Sequence, residues 1–128
     1  MTFAPTAAAL LLALQTASPA PPPVVIEDLS QLPVQEAAAP RCGVVFALIE
    51  GQQFVGEKRA KQWPDLAETN GKEFFVRAMV KLMDDRGLNR EQVMQLVERE
   101  KKKLAQDDFK SAFDLMEPCL LMKQSAGL

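Results

Sequence analysis

The feature that most constrains this chain is its pair of cysteines, Cys42 and Cys119, the only two in 128 residues. Each lies in a run whose apolar residues recur at spacings of three and four, the pattern of one face of an α-helix. The apolar residues that accompany the cysteines are Val45, Phe46 and Ile49 in the first run and Phe109, Ala112, Phe113 and Met116 in the second. Both sulfur atoms are therefore expected to face the interior.

An even cysteine count without a CxxC motif favours a structural disulfide over a redox pair, provided that the protein is exported. Closing a loop of this length destabilises the unfolded chain by about 4.5 kcal/mol in the chain-entropy model. Free buried thiols are the alternative, and two thiols are too few for a metal site. The predicted site is thus a disulfide between Cys42 and Cys119, with no catalytic, cofactor-binding or metal-binding residue assigned.

Apolar periodicity and capping residues predict an all-α fold. Asn89 with Gln92, and Asn70 with Glu73, have the spacing of capping boxes at helix starts. Gly87 suits the left-handed residue that ends a helix, so the turn that follows it should be very short. The prediction is a small bundle of about four helices, over residues 40–55, 71–86, 90–105 and 107–123. The charged residues of the third helix, Glu100 among them, are expected on its outer surface.

Proline positions set two of these boundaries. Pro40 is expected in the first turn of the first helix, and Pro118 is expected to break or kink the last helix just before Cys119. The lone tryptophan, Trp63, precedes Pro64, and we interpret it as a hinge residue packed on the core.

Residues 1–20 are predicted to be a signal peptide. The apolar run Ala7–Leu14 is too short to span a bilayer but matches the hydrophobic region of a secretory signal. Small side chains at Ser18 and Ala20 suit signal peptidase, although no lysine or arginine precedes the run and Pro21 would follow the cut. The sequence therefore predicts a periplasmic or secreted protein without a transmembrane span. A disordered tail on a cytosolic protein is the alternative.

Six of the nine prolines lie between residues 19 and 40. Proline disfavours helix in the residue before it, so residues 21–39 are predicted to form a disordered linker. The only apolar spot in the linker, Val24–Ile26, is expected to be solvated, and docking on the bundle or on a partner is the alternative. Residues 40–128 then make one helical domain, small enough for a covalent crosslink to matter.

The composition restricts the chemistry. Histidine and tyrosine are absent, and 17 acidic residues against 15 basic ones give a net charge of −2. The chain thus lacks the usual general base and the basic excess typical of nucleic-acid partners. The paired acids Asp84–Asp85 and Asp107–Asp108 sit where helices end or begin, so capping and solvation explain them better than a catalytic carboxylate site. No cofactor is predicted.

The turn around Gly87 also fits a helix-turn-helix. The following helix would then present Arg90, Gln92 and Gln95 to a DNA groove, with Lys101–Lys103 near the phosphates. The same spacing describes any compact helix pair. The leading hypothesis is an exported, non-enzymatic helical module that binds a protein or an envelope component. The alternatives are a cytosolic DNA-binding or regulatory protein and, third, an enzyme that uses aspartate or glutamate.

Overall fold

The computed structural model describes residues 2–3 and 25–128, and every regular element in these residues is helical. A 3₁₀ turn over Leu29–Gln31 comes first. The six helices that follow are α1 (Val34–Phe54), α2 (Lys58–Lys61), α3 (Gly71–Arg86), α4 (Arg90–Ala105), α5 (Lys110–Asp114) and α6 (Met116–Ser125). The all-α prediction is confirmed. The predicted signal peptide and residues 21–24 of the predicted linker lie outside the part of the chain that the structure accounts for, apart from residues 2–3.

The predicted bounds of α3 and α4 agree with the structure. Asn89 accepts a hydrogen bond from the Gln92 backbone at 2.8 Å, and the Gln92 side chain accepts one from the Asn89 backbone at 2.9 Å. This capping box starts α4 as predicted. Gly87 ends α3 with a φ of +62°, the left-handed conformation that glycine adopts at little cost.

The capping box predicted at the start of α3 is wrong. Asn70 has a φ of +66° and its side chain makes no capping bond. The amide of Gly71 instead donates to the Leu66 carbonyl at 3.0 Å, so Asn70 is the left-handed residue of a tight turn. Glu73 pairs with Arg77 one turn along the helix, at 2.6 Å, rather than reaching back.

Helix α1 begins at Val34, before the predicted start at residue 40. Pro33 is the N-cap residue, and Pro40 lies inside the helix. Because Pro40 has no N–H, it cannot donate to the Glu36 carbonyl one turn earlier. Burial of Pro40 and of Cys42–Phe46 offsets this lost hydrogen bond. The predicted start of α1 was wrong because it assumed that proline lies in the first turn of a helix. Here burial of Pro40 and its neighbours stabilises proline inside the helix.

Residues 25–39 of the predicted linker are folded, contrary to the prediction. Three apolar residues spaced three apart, Ile26, Leu29 and Leu32, are buried in a small cluster with Leu82 of α3 and Leu96 of α4. These contacts supply the apolar burial that stabilises an otherwise proline-bounded segment. The segment before α1 therefore lies against the α3–α4 pair.

The predicted last helix is two helices. Asp108 and Phe109 both have positive φ values, 56° and 65°, so the chain turns sharply before α5. The interruption falls at Leu115, between α5 and α6. Pro118 neither breaks nor kinks a helix, since it occupies the first turn of α6, where its missing N–H has no helical partner to lose. Helix α6 continues to Ser125.

Helix α1 is the centre of the bundle and contacts every other element. The ring of Phe46 meets that of Phe74 of α3 edge to face, with centroids 5.3 Å apart. Trp63 is half-buried and packs on the core, as predicted. The main cluster is made of Cys42, Val44, Val45, Phe46, Ile49, Ala60, Leu66, Phe74, Ala78, Met79, Val93, Val97, Leu104, Ala112, Met116 and Cys119.

The sulfur atoms of Cys42 in α1 and Cys119 in α6 lie 2.14 Å apart, with their Cα atoms separated by 5.2 Å. The sequence predicted this pair. The crosslink joins the first long helix to the last across 77 residues.

Removing the crosslink should lower the stability of the domain. We expect the Cys42→Ala/Cys119→Ala variant, and the wild-type protein under reducing conditions, to lose about 4 kcal/mol in free energy of unfolding, because the unfolded chain regains loop entropy. Urea denaturation followed by circular dichroism measures the difference. Equal midpoints for the oxidised and reduced wild-type protein would contradict the expectation.

Asp28 connects the N-terminal segment to α4. Its carboxylate caps the amide of Ser30 at 2.8 Å and lies 2.5 Å from the Lys103 ammonium. The hydrogen bond from Lys103 holds the pKa of Asp28 well below its usual range. A carboxylate whose pKa is lower in the folded state stabilises the fold above its unfolded pKa of about 3.9, and this contribution is lost as the pH falls further.

Asp28→Asn keeps the cap but removes the charge. We expect it to lower the free energy of unfolding by about 1 kcal/mol at neutral pH and by progressively less below about pH 4, where the Asp28 carboxylate of the unfolded wild-type chain becomes protonated. Asp84→Asn, an exposed carboxylate outside the ion pairs of the described residues, is the control. Urea denaturation of both variants across this pH range measures the two costs, and a pH-independent cost at Asp28 would refute the role of its charge.

Candidate functional site

The displaced pKa values within residues 25–128 all favour the charged form of their groups. Carboxylates with a lowered pKa are hydrogen-bonded by a neighbouring donor, namely Asp28 by Lys103, Glu57 by Arg59 and Asp107 by Ser111. Cations with a raised pKa are bonded to a carboxylate, namely Arg59 to Glu57, Lys81 to Asp85 and Lys110 to Asp114. A general acid or base at neutral pH needs a displacement in the opposite direction.

Three of the four paired acids, namely Asp85, Asp107 and Asp108, have structural partners. Asp85 bonds Lys81 at 2.8 Å, and Asp108 lies 3.3 Å from the guanidinium of Arg59. Asp107 accepts hydrogen bonds from the start of α5. In the described part of the chain, no group of three or more acidic or cysteine side chains is placed to hold a metal ion. These carboxylates therefore act as caps and ion-pair partners.

Glu100 was expected on the outer surface of α4, and that expectation is wrong. Its side chain is only 4% exposed and accepts a hydrogen bond from Arg41 of α1 at 2.8 Å. A carboxylate can be buried at this position because the guanidinium supplies both charge and a donor. The pair adds a polar link between α1 and α4.

The face of α4 that would enter a DNA groove is partly occupied. The side chain of Gln92 is held in its capping box, and residues 25–27 lie beside Gln92, Gln95 and Arg99. Lys103, at the phosphate end of this face, is already paired with Asp28. This arrangement disfavours the helix-turn-helix alternative.

A cavity lies at the C-terminal end of α1, where the α2–α3 loop folds back. It has a volume of about 470 Å³, and we name it the Phe54 cleft. Its lining is mainly apolar and includes two carboxylates. The lining residues are Ala47, Glu50, Gly51, Gln53, Phe54, Asp65 and Ala67.

Phe54 is 91% exposed, which is unusual for an aromatic ring next to a cleft, and Val55 after it is 72% exposed. Phe54 follows the last buried residue of the α1 stripe, Ile49, by five positions, or about 140° around the helix. The ring therefore points away from the core. We did not single out Phe54 from the sequence, although helical periodicity carries the signal.

One amide side chain holds the far wall of the cleft. Gln53 donates to the carbonyls of Ala60 at 3.1 Å and Pro64 at 2.8 Å. Its oxygen accepts a hydrogen bond from the Leu66 amide at 3.0 Å. Since Gln53 lies next to Phe54 on α1, the loop is fixed directly against the helix that forms the cleft floor.

The same loop is held from the opposite side by α6. Lys123 is 7% exposed, and its ammonium donates to the backbone carbonyl of Thr69. Lys123 follows Cys119 by one helical turn, so the two lie on the same face of α6. The wall of the cleft is thus connected to the crosslinked helix pair.

The two glycines of α1, Gly43 and Gly51, differ in how closely other residues pack against them. A Cβ at Gly43 would come within 3.2 Å of the Phe75 backbone, so glycine is needed there for the close approach of α1 and α3. A Cβ at Gly51 would meet nothing within 4 Å. Glycine inside a helix costs about 0.5–1 kcal/mol relative to alanine. At Gly51 no packing contact accounts for that cost, and the missing side chain leaves the cleft open.

Comparison of the chain with protein-family models, curated proteins and solved structures finds no match. None of the helices in residues 25–128 has both the length and the apolar character required to cross a bilayer. The fold defines the class of the protein as a small all-α domain whose first and last long helices are paired through cysteine sulfurs. The side chains of the Phe54 cleft are therefore the basis for the function proposed below.

The two glycines should respond to substitution with opposite signs. We expect Gly51→Ala to raise the free energy of unfolding by about 0.5–1 kcal/mol, because it gains helix propensity in open space. Gly43→Ala should lower it by about 1 kcal/mol or more, because the new methyl group meets the α3 backbone. Urea denaturation compares the two variants. Stabilisation by Gly43→Ala would show that α3 can move away at little cost.

Proposed function

We propose that this protein is an exported, non-enzymatic helical module that binds another protein or an envelope component through the Phe54 cleft. The observation that carries the proposal is a fully exposed aromatic ring beside an open cleft whose walls are fixed by hydrogen bonds. Exposed aromatic anchors on a rigid support are typical of binding surfaces.

The charged groups support a binding role over a catalytic one. Ion pairs and caps account for the displaced pKa values, and each displacement favours the ionised state at neutral pH. The cleft contains Glu50 and Asp65, but no nucleophile with an adjacent base lines it. A binding surface requires no such group.

Two features support export: the signal-like residues 1–20 and the cysteine pair at bonding distance. Disulfides persist in oxidising compartments, so the pair fits a periplasmic or secreted protein. Intact mass spectrometry of the protein from its native source, without reductant, tests this. We expect a mature chain lacking residues 1–20 and lighter by the two thiol hydrogens. A full-length chain with two labelled thiols would instead favour a cytosolic regulatory protein.

Site-specific photocrosslinking tests the binding role. The photoreactive analogue p-benzoylphenylalanine is placed at Phe54 and, as a matched control, at Leu121, which is 60% exposed on α6. We expect a discrete adduct from position 54 in the native compartment and none from position 121. The adduct should disappear when Gly51→Leu fills the cleft. Identical adducts from both positions, or none from either, would contradict the proposal.

A further inference from the structure

The Phe54 cleft has a charge pattern that specifies what can bind in it. Two acidic side chains, Glu50 and Asp65, line the cleft, and none of its lining residues is lysine or arginine. Neither carboxylate belongs to an ion pair within the described residues. Asp65 accepts one hydrogen bond from the Ala67 amide, at 3.0 Å, but neither carboxylate is neutralised by a described cation, so both can attract a cationic partner.

The helix dipole adds to this negative charge. The cleft lies at the C-terminal end of α1, a helix that ends at Phe54. The last carbonyls of a helix carry a partial negative charge equivalent to about half an elementary charge. A cation near the cleft would thus be attracted by the helix end as well as by Glu50 and Asp65.

The space in the cleft fits an apolar side chain. Ala47 and Gly51 form a floor of small residues, and Phe54 stands at one edge as an exposed aromatic surface. The volume of about 470 Å³ lies at the small end of the range for ligand pockets. That volume suits one or two side chains of a bound segment.

We infer that the Phe54 cleft binds a cationic amphipathic segment of a partner protein, with an apolar side chain over Gly51 and a lysine or arginine beside Glu50 and Asp65. The inference rests on the proposed binding function and names the chemistry of the partner. Electrostatic complementarity of this kind selects partners and accelerates their association. An anionic surface is repelled by the same two carboxylates.

Binding of synthetic peptides tests the inference on the full chain. The probe is a short fluorescent peptide of leucine and lysine, compared with a peptide in which glutamate replaces lysine and one in which serine replaces leucine. Fluorescence anisotropy gives the dissociation constants. The single tryptophan, Trp63, lies next to the loop that forms the cleft wall and gives a second, label-free signal. We expect only the leucine–lysine peptide to bind, and more weakly as the salt concentration rises.

Two sets of variants separate the apolar contact from the charges. Gly51→Leu should weaken binding at least about tenfold, because it occupies the space of the bound apolar side chain. Should that variant fail to fold, Phe54→Ser removes the exposed ring without touching the core and should also weaken binding. Glu50→Gln/Asp65→Asn should weaken it about fivefold and reduce its salt dependence. The matched control is Glu91→Gln/Glu117→Gln, which removes the same charge from exposed positions outside the cleft.

Four outcomes would overturn the inference. Equal binding of the lysine and glutamate peptides would show that the partner need not be cationic. Unchanged binding by the Gly51→Leu variant would show that the cleft is not the binding site. Phe54-dependent binding to phosphatidylcholine vesicles, without peptide binding, would show that the partner is a membrane surface and not a protein. If the position 54 photocrosslink to a protein persists while no peptide binds, the partner chemistry is wrong but the proposed function stands.

Discussion

The burial of the middle of α1 on all sides is the constraint on which the rest of the structure depends. Residues 42–46 of this helix are all buried, and α1 contacts every other element. A helix buried all round has no single polar face, so its stability derives from its neighbours and not from its own amphipathicity. Gly43 brings the backbone of α3 close on one side, and Cys42 bonds α6 on another. The remaining helices are arranged around this axis.

The same constraint extends to the cleft. Cys119 and Lys123 are on one face of α6, and they attach that face to α1 and to the Thr69 carbonyl respectively. Gln53 holds the other side of the same loop. The wall of the Phe54 cleft is thus anchored by two helices that are themselves crosslinked. A site held in this way is formed before its partner arrives, which reduces the entropy lost on binding.

The sequence predicted the elements whose ends are set locally and missed those set by distant contacts. Helix α3 ends and helix α4 begins at the predicted residues because Gly87 and Asn89 act within a single turn. The spacing of Glu100 from Val93 and Leu96 places it on the buried face, yet its charge led us to expect it outside. Only the guanidinium of Arg41, 59 residues earlier, makes that burial possible, and no local pattern reveals it.

The candidate site likewise combines a feature that the sequence reveals with one that depends on a distant contact. The exposure of Phe54 follows from its angle on α1, but the opposing wall depends on Gln53 reaching Leu66, 13 residues along the chain. Gly51 can be understood as a cleft residue only when that wall is present. Without the wall, it is a glycine that weakens the helix. The crosslink offsets such a weak point several times over, with about 4.5 kcal/mol against about 1 kcal/mol for a helical glycine. A domain whose first and last long helices are crosslinked can therefore tolerate Gly51, although the structural effect of this glycine is only to leave the Phe54 cleft open.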